Sequence, residues 1–315
     1  MKNESLHPVF DAFPPRRQFE LRAPGRHGVG VCVTVASQKG GVGKTTTAVN
    51  LAAGFGLSGA KTLLFDFDPQ ANATSGVGRE KWRTVPGIKG GAKTRRGARA
   101  GFLDALEGPD YLLSAVKETD FQNLWVLPSF EIFSDTELID VIKSTKLELW
   151  KRRVAELCRR FDAVFIDCPP SLGGIPTLAF ETSDQVLIPV QCEYYAMEGL
   201  SQILPVIDDA QNRTGAGPTV AGLLMTMYSD ELELSREVLE EVQAYFPDLV
   251  YRAVIPRDVA LAEAASHGLP VVFYNPYSRG AWSYLELTRE VLRHEQSEVG
   301  EGTRQPAPEE PAELE

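Results

Sequence analysis

The sequence predicts an α/β fold: a mostly parallel, doubly wound sheet with helices on both faces. Two observations carry this expectation. Continuous apolar, β-branched runs of strand length alternate with stretches of helical period, the pattern of a parallel sheet covered on both sides. A glycine-rich turn, SQKGGVGKTT (37–46), stands where the first such run gives way to the first helical stretch, and there it is placed to hold phosphate.

In chain order, residues 1–29 mix Pro14, Pro15 and Pro24 with Arg16 and Arg17 and keep no sustained period, so they read as a flexible extension. VCVTVA (31–36) is a buried strand by length and composition, and TTTAVNLAAGFGL (45–57) has helical apolar spacing. TLLFDFD (62–68), NLWVLP (123–128) and DAVFID (162–167) are the next strands, followed by VLIPV (186–190), TVAGLLMT (219–226) and LVYRAVI (249–255). Helical stretches at 134–159, 197–211 and 233–246 separate them. AWSYLELTREVLRHEQ (281–296) closes the series as a helix, with Trp282, Leu285, Val291 and Leu292 read as core packing. The domain is therefore expected over 30–296. Residues 297–315 hold six acids and three prolines against the single base Arg304, the composition of a disordered tail.

One segment breaks this rhythm. REKWRTVPGIKGGAKTRRGAR (79–99) carries eight Lys/Arg against one acid, Glu80, and its four glycines and one proline make it a loop. It stands out because the whole chain of 315 residues has 43 acids against 32 bases, a net charge of -11. That balance argues against an intrinsically sticky nucleic-acid binder while leaving room for a local basic patch. The opening MKNESLHPVFDAF lacks the apolar core of a secretion signal, and no apolar run approaches the roughly 18 residues that span a bilayer. Cys32, Cys158, Cys168 and Cys192 form no CxxC pair, and the four histidines form no HExxH. A reduced, cytoplasmic setting without a zinc site is the expectation.

The glycine-rich turn carries the chemistry. Gly40, Gly41 and Gly43 let the backbone curl so that successive amides point at phosphate oxygens. Lys44 would reach the β- and γ-phosphates, and the Thr45 hydroxyl would face Mg²⁺. The strict GxxxxGK[ST] pattern fails by one position, because Gln38 stands where its first glycine belongs.

With that departure, KGGVGKT (39–45) resembles the deviant Walker A motif of the ParA/MinD family of P-loop ATPases, closest to the chromosomal-type ParA partition proteins. The resemblance places Lys39 on the family's signature lysine, which reaches across an ATP sandwich dimer to the partner's phosphates; taken alone, it could equally be a surface lysine. It implies that Lys39, Gly40, Gly41, Val42, Gly43, Lys44, Thr45 and Thr46 cradle ATP. In LLFDFDPQANATSG (63–76) it implies that Asp68 orients the attacking water and that Asp66 lies on the Mg²⁺ side, with capping of the next helix as the open alternative. VFIDCPPSLG (164–173) matches the family's Walker B strand, so Asp167 would hold Mg²⁺ through water. QCEYYAMEGL (191–200) and VIPRDVALAEAASHGLPV (254–271) match two further blocks, the second placing Pro256 and Asp258 near the base. Buried packing is the expected role of Cys168 and Cys192.

The family likeness implies slow ATP hydrolysis with Mg²⁺, an ATP-bound homodimer, non-specific DNA binding and an activating ParB-like or other cargo-bound protein. The acidic, proline-broken end PAPEEPAELE speaks against membrane cycling, and the absence of paired cysteines against an iron–sulfur role. The sequence departs from the pattern at Glu231 and Ala260, which align where chromosomal ParA proteins commonly carry arginines. The basic loop, through Lys89, Lys93, Arg95, Arg96 and Arg99, is then the candidate DNA surface, with Arg236, Arg252, Arg257 and Arg279 as minor candidates. Docking on a protein scaffold, a solvated loop without a ligand, and a nucleotide-dependent regulator that does not turn over remain as other readings. The cargo itself is not legible.

Overall fold

A computed structural model describes residues 30–78, 111–129, 146–215 and 218–301. Seven strands form one sheet: β1 Val31–Val35, β2 Thr62–Asp66, β3 Lys117–Glu118, β4 Leu124–Leu127, β5 Ala163–Asp167, β6 Gln185–Gln191 and β7 Thr219–Thr226. Their order is β3-β4-β2-β5-β1-β6-β7, with every pairing parallel except the antiparallel β3–β4 edge. The chain runs from β1 out through β2 to β4 and β3, returns as β5 between β2 and β1, and then continues to β6 and β7 on the other side. The ends of β1, β5 and β6 therefore border the crevice where strand order reverses.

Two apolar layers explain why the strands read as continuous hydrophobic runs. Val31, Val33 and Val35 of β1 face one layer and Cys32 the other, as strand alternation requires. The first layer is closed by α1 (Lys44–Leu57), α8 (Val259–His267) and α10 (Arg279–Glu301). There Phe55 of α1 meets Phe165 of β5 edge-on, with ring centroids 4.9 Å apart. The second layer is closed by α4 (Lys146–Cys158), α5 (Gly174–Thr182), α6 (Ala196–Thr214) and α7 (Glu233–Tyr245). Trp150 of α4 is fully buried and stacks on Phe67 at 5.5 Å. Short helices α2 (Asn72–Gly76), α3 (Tyr111–Ala115) and α9 (Val271–Tyr274) complete the described elements.

Four expectations need correction. The run 249–255 is not a strand: it follows β7 through isolated bridges, Leu223 with Val250 and Tyr228 with Pro256. The cause is a carboxylate from α10. Glu290 accepts the amides of Arg252 (2.8 Å) and Ala253 (2.9 Å), removing them from any ladder. Trp282 is not core but 43% exposed, while Leu285, Val291 and Leu292 are buried. The last helix continues past residue 296 to Glu301, so the acidic segment begins as helix. Strand β2 also stops at Asp66, two residues early, because the Asp66 side chain accepts the amide of Asp68 and turns the chain. Residues 134–145 of the expected helix 134–159, the extension 1–29 and the loop 79–99 lie outside the described residues.

Candidate functional site

The phosphate loop joins β1 to α1, and its curl needs glycine at two places. Gly41 (φ 78°) and Gly43 (φ 91°) lie in the left-handed region that a side chain disfavours. Gly43 directly precedes α1, and its carbonyl accepts the amide of Thr47, so the helix amides open towards the loop. Val42 is buried beneath, and its carbonyl accepts the Thr226 hydroxyl at 2.9 Å, which pins the loop to the end of β7. Gly40 differs from its neighbours: a side chain there would meet only Pro170, at 3.9 Å.

Lys44 is buried, and its ammonium donates to the Lys39 carbonyl at 2.8 Å, across the mouth of the loop. Burial pulls it below its ordinary value, while the nearby Asp167 carboxylate opposes that pull. An anion at the loop would offset that pull.

Three carboxylates gather at the ends of β2 and β5, where Asp66 and Asp167 pair in register. Asp66 is taken up by its own chain: Oδ2 accepts the Thr74 amide (2.7 Å) and hydroxyl (2.6 Å), and Oδ1 the Asp68 amide. Burial nevertheless lifts its pKa to about 7. Asp68 is buried, with Oδ1 accepting the Gln70 amide at 2.8 Å, while Ser129 donates to its carbonyl at 2.6 Å. Asp167 accepts the Thr45 hydroxyl at 2.8 Å through Oδ2, while its buried Oδ1 has no hydrogen-bond partner. Burial first, and the charge of Asp66 next, push Asp167 well above the usual carboxylate range. An orphaned carboxylate oxygen beside a threonine hydroxyl fits a hard cation, which would reverse both effects. Asp66, with both oxygens engaged, fits a scaffold role better than a ligand role.

Lys39 faces the other way. Its ammonium pairs with Glu193 Oε2 at 2.8 Å, with its side chain 39% exposed. Glu193 Oε1 accepts Gln191 Nε2 at 2.6 Å and lies 3.8 Å from Arg257, and Tyr194 and Tyr195 beside it are exposed. Asp258 is a helix cap: Oδ1 accepts the Ala260 amide (2.9 Å) and Oδ2 the Gly280 amide (2.8 Å). Pro256 sits against Tyr228, just past the β7 end that holds Val42. Burial pushes the thiols of Cys168 and Cys192 up, the latter to about 12, so neither is a thiolate nucleophile.

The structure thus brings Lys39, Gly40, Gly41, Val42, Gly43, Lys44, Thr45, Asp66, Asp68 and Asp167 to one end of the sheet, with Thr46 opening α1. Lys89, Lys93, Arg95, Arg96 and Arg99 lie outside the described residues. Glu231 is exposed and Ala260 buried, while Arg279, a minor candidate, is paired with Asp230 at 2.8 Å. Sequence reasoning missed Glu193, Thr226 and Thr74. Glu193 and Thr74 stand inside recognised blocks and Thr226 ends a predicted strand, but the partners of Glu193, Thr226 and Thr74 are 154, 184 and 8 residues away, so only the fold reveals what they hold.

Comparison with known proteins agrees with this geometry. An AAA domain family matches residues 30–217. The chain is 41% identical over 264 residues to the sporulation initiation inhibitor protein Soj of Bacillus subtilis, covering 84% of this chain and 98% of Soj. It is 36% identical over 267 residues to the chromosome partitioning protein ParA of Myxococcus xanthus, covering 85% and 89%. Among solved structures, cobyrinic acid a,c-diamide synthase from Mycobacterium smegmatis with bound ADP and magnesium superposes with a TM-score of 0.66 at 29% identity, covering 86% of this chain and 97% of that one. No helix among the described residues is long and apolar enough to cross a membrane. With relatives of this identity matched over nearly their whole length, the chain belongs to the ParA/MinD family of deviant P-loop ATPases and is a ParA-type ATPase that uses ATP with Mg²⁺.

Proposed function

We propose that this ATPase cycles between a monomer and an ATP-bound sandwich dimer, that the dimer binds DNA non-specifically, and that a cargo-bound partner triggers hydrolysis and release. The observation that carries this reading is the divergence of the two loop lysines. Lys44 lies buried across its own loop, whereas the Lys39 ammonium points outward to the exposed Glu193. An ammonium so placed is available to phosphates presented by a second subunit, where it offsets charge between two facing nucleotides.

The parts divide as follows. The loop amides of residues 40–46 and the Lys44 ammonium hold the phosphates; Thr45 and Asp167 hold the cation. Mg²⁺ held there would supply positive charge against the phosphates. Asp68, close to that pair yet engaged through only one side-chain oxygen, orients the attacking water. No arginine within the described residues donates into the phosphate loop, which supports slow unassisted turnover and a stimulating partner. DNA contact falls to the basic loop through Arg95, Arg96 and Arg99, since Glu231 is an acid and Arg279 is already paired.

The test uses Asp68→Ala. It is expected to form an ATP-dependent, ADP-independent dimer by light scattering and to bind duplex DNA with a steep salt dependence, the slope about −0.9 per phosphate contact. Monomer with ATP would remove the sandwich cycle. A dimer that ignores DNA at low salt would move the reading to a protein scaffold, which the acids at 230, 231 and 233 favour.

A further inference from the structure

Three segments converge on a face formed by the loop after β7 and the starts of α8 and α10. The Arg257 amide donates to the Tyr228 carbonyl at 2.9 Å, Arg279 pairs with Asp230 at 2.8 Å, and the Gly280 amide donates to Asp258 at 2.8 Å. On this framework large apolar side chains are left in solvent: Leu232 is 51% exposed, Leu234 43%, Val259 73% and Tyr277 65%. Trp282, one turn beyond Arg279, is exposed as well. Single exposed apolar residues are ordinary; several on three hydrogen-bonded segments are not.

Leu232 is the most telling. It occupies the N-cap of α7 and makes no side-chain cap, in a position where Ser, Asp or Asn would stabilise the helix by about 1 kcal/mol. With half of its surface in solvent, it returns little to the core. Nor is it loosely held: Leu232 donates to the Ser229 carbonyl and accepts the amide of Ser235, which is buried.

Charge selects the occupant. Asp230, Glu231, Glu233 and Glu237 are exposed around Leu232; of the cations near them, Arg279 is paired with Asp230 and Arg257 lies 3.8 Å from Glu193, while Arg236 is exposed one turn along α7, so the acids outnumber the cations left over. Nucleic acid and anionic lipid would bring phosphate against these acids. A second copy meeting the first through a two-fold axis would set carboxylate against carboxylate. The geometry points to a docking site for a cationic, amphipathic segment of another protein, its leucine-like side chains on Leu232, Leu234 and Val259 and its lysines or arginines on Glu231 and Glu233.

The inference does not rest on the nucleotide cycle, so its test uses nucleotide-free, full-length protein. The probe is a fluorescent amphipathic Leu/Lys peptide, with its Leu/Glu counterpart and short duplex DNA as controls. Wild type is expected to bind the Leu/Lys peptide at physiological salt and neither control. Leu232→Ser with Leu234→Ser is expected to weaken binding about tenfold or more. Glu231→Lys with Glu233→Lys is expected to do the same, while Glu240→Lys with Glu241→Lys, the same charge change further along α7, alters it less than about threefold. All these positions are exposed, and unchanged thermal unfolding verifies the fold. Equal loss in the 240/241 variant, an unaffected leucine pair, or absence of binding by wild type would each overturn the proposal. So would duplex binding that disappears with the two leucines. Binding that emerges only after Arg95, Arg96 and Arg99 are replaced by Ser would also overturn it, because the chain's own loop would then be the occupant.

Discussion

On its inner flank the phosphate loop meets Lys44 and three buried carboxylates; on its outer flank it meets solvent through Lys39, Glu193 and two exposed tyrosines. The inner flank is finished within one chain. Thr45 holds Asp167, Thr74 holds Asp66 and Ser129 holds the Asp68 backbone, so each group is oriented before any ligand arrives. The outer flank has the same kinds of charge but less enclosure, and its ion pair is half-exposed, where solvent screening weakens such pairs. Two lysines five positions apart on one loop therefore do different work because one is buried and one is not.

The strongest challenge to this contrast is Lys44→Ala. Removing the buried ammonium should cut ATP turnover by about 100-fold or more, measured by phosphate release, with nucleotide affinity falling alongside. A variant with near-wild-type turnover would mean that the inner flank is not the reacting side. Chelating Mg²⁺ with EDTA should abolish hydrolysis comparably, and Thr45→Ala should raise the Mg²⁺ concentration needed for half-maximal rate; an unchanged requirement would detach Thr45 from the cation.

Gly40→Val probes the outer flank next. Because a side chain at Gly40 finds open space in the monomer, the variant should fold and bind ATP within about threefold of wild type yet stay monomeric. Dimer on light scattering with ATP would show that nothing approaches the loop from outside. The smallest effect belongs to Glu193→Gln. Freeing Lys39 from an exposed pair should shift ATP-dependent dimerisation by a factor of about 1.4 to 5, the range of a solvent-exposed ion pair. A tenfold loss would instead give Glu193 a direct part in the dimer.

Legibility followed the same division. The strands at 31–35, 62–66 and 163–167 were readable because residues buried on both faces leave uninterrupted apolar runs. The run 249–255 has the same composition but a different fate, since hydropathy does not record that Glu290 takes two of its amides. Trp282 follows helical spacing as a core residue would, yet nothing in that spacing says that its side of α10 faces out. Asp66, Asp68 and Asp258 illustrate the matching limit at the site. The family resemblance singled out all three, but whether a carboxylate caps, buttresses or stays available depends on which amides come within reach.

The sequence by itself determined the alternation that forces a two-layered parallel sheet and the glycines that allow the loop its positive φ. It also put a lysine and a threonine at the end of a glycine-rich loop, because these depend on local chemistry and short spacing, while the aspartates were named through the resemblance to the family. Only the tertiary structure decided that Lys39 turns to Glu193, that Thr226 anchors the loop, and that leucines and acids share one exposed face. Those outcomes join residues from as far apart as 184 positions, and side-chain burial is fixed by what the fold packs against each group.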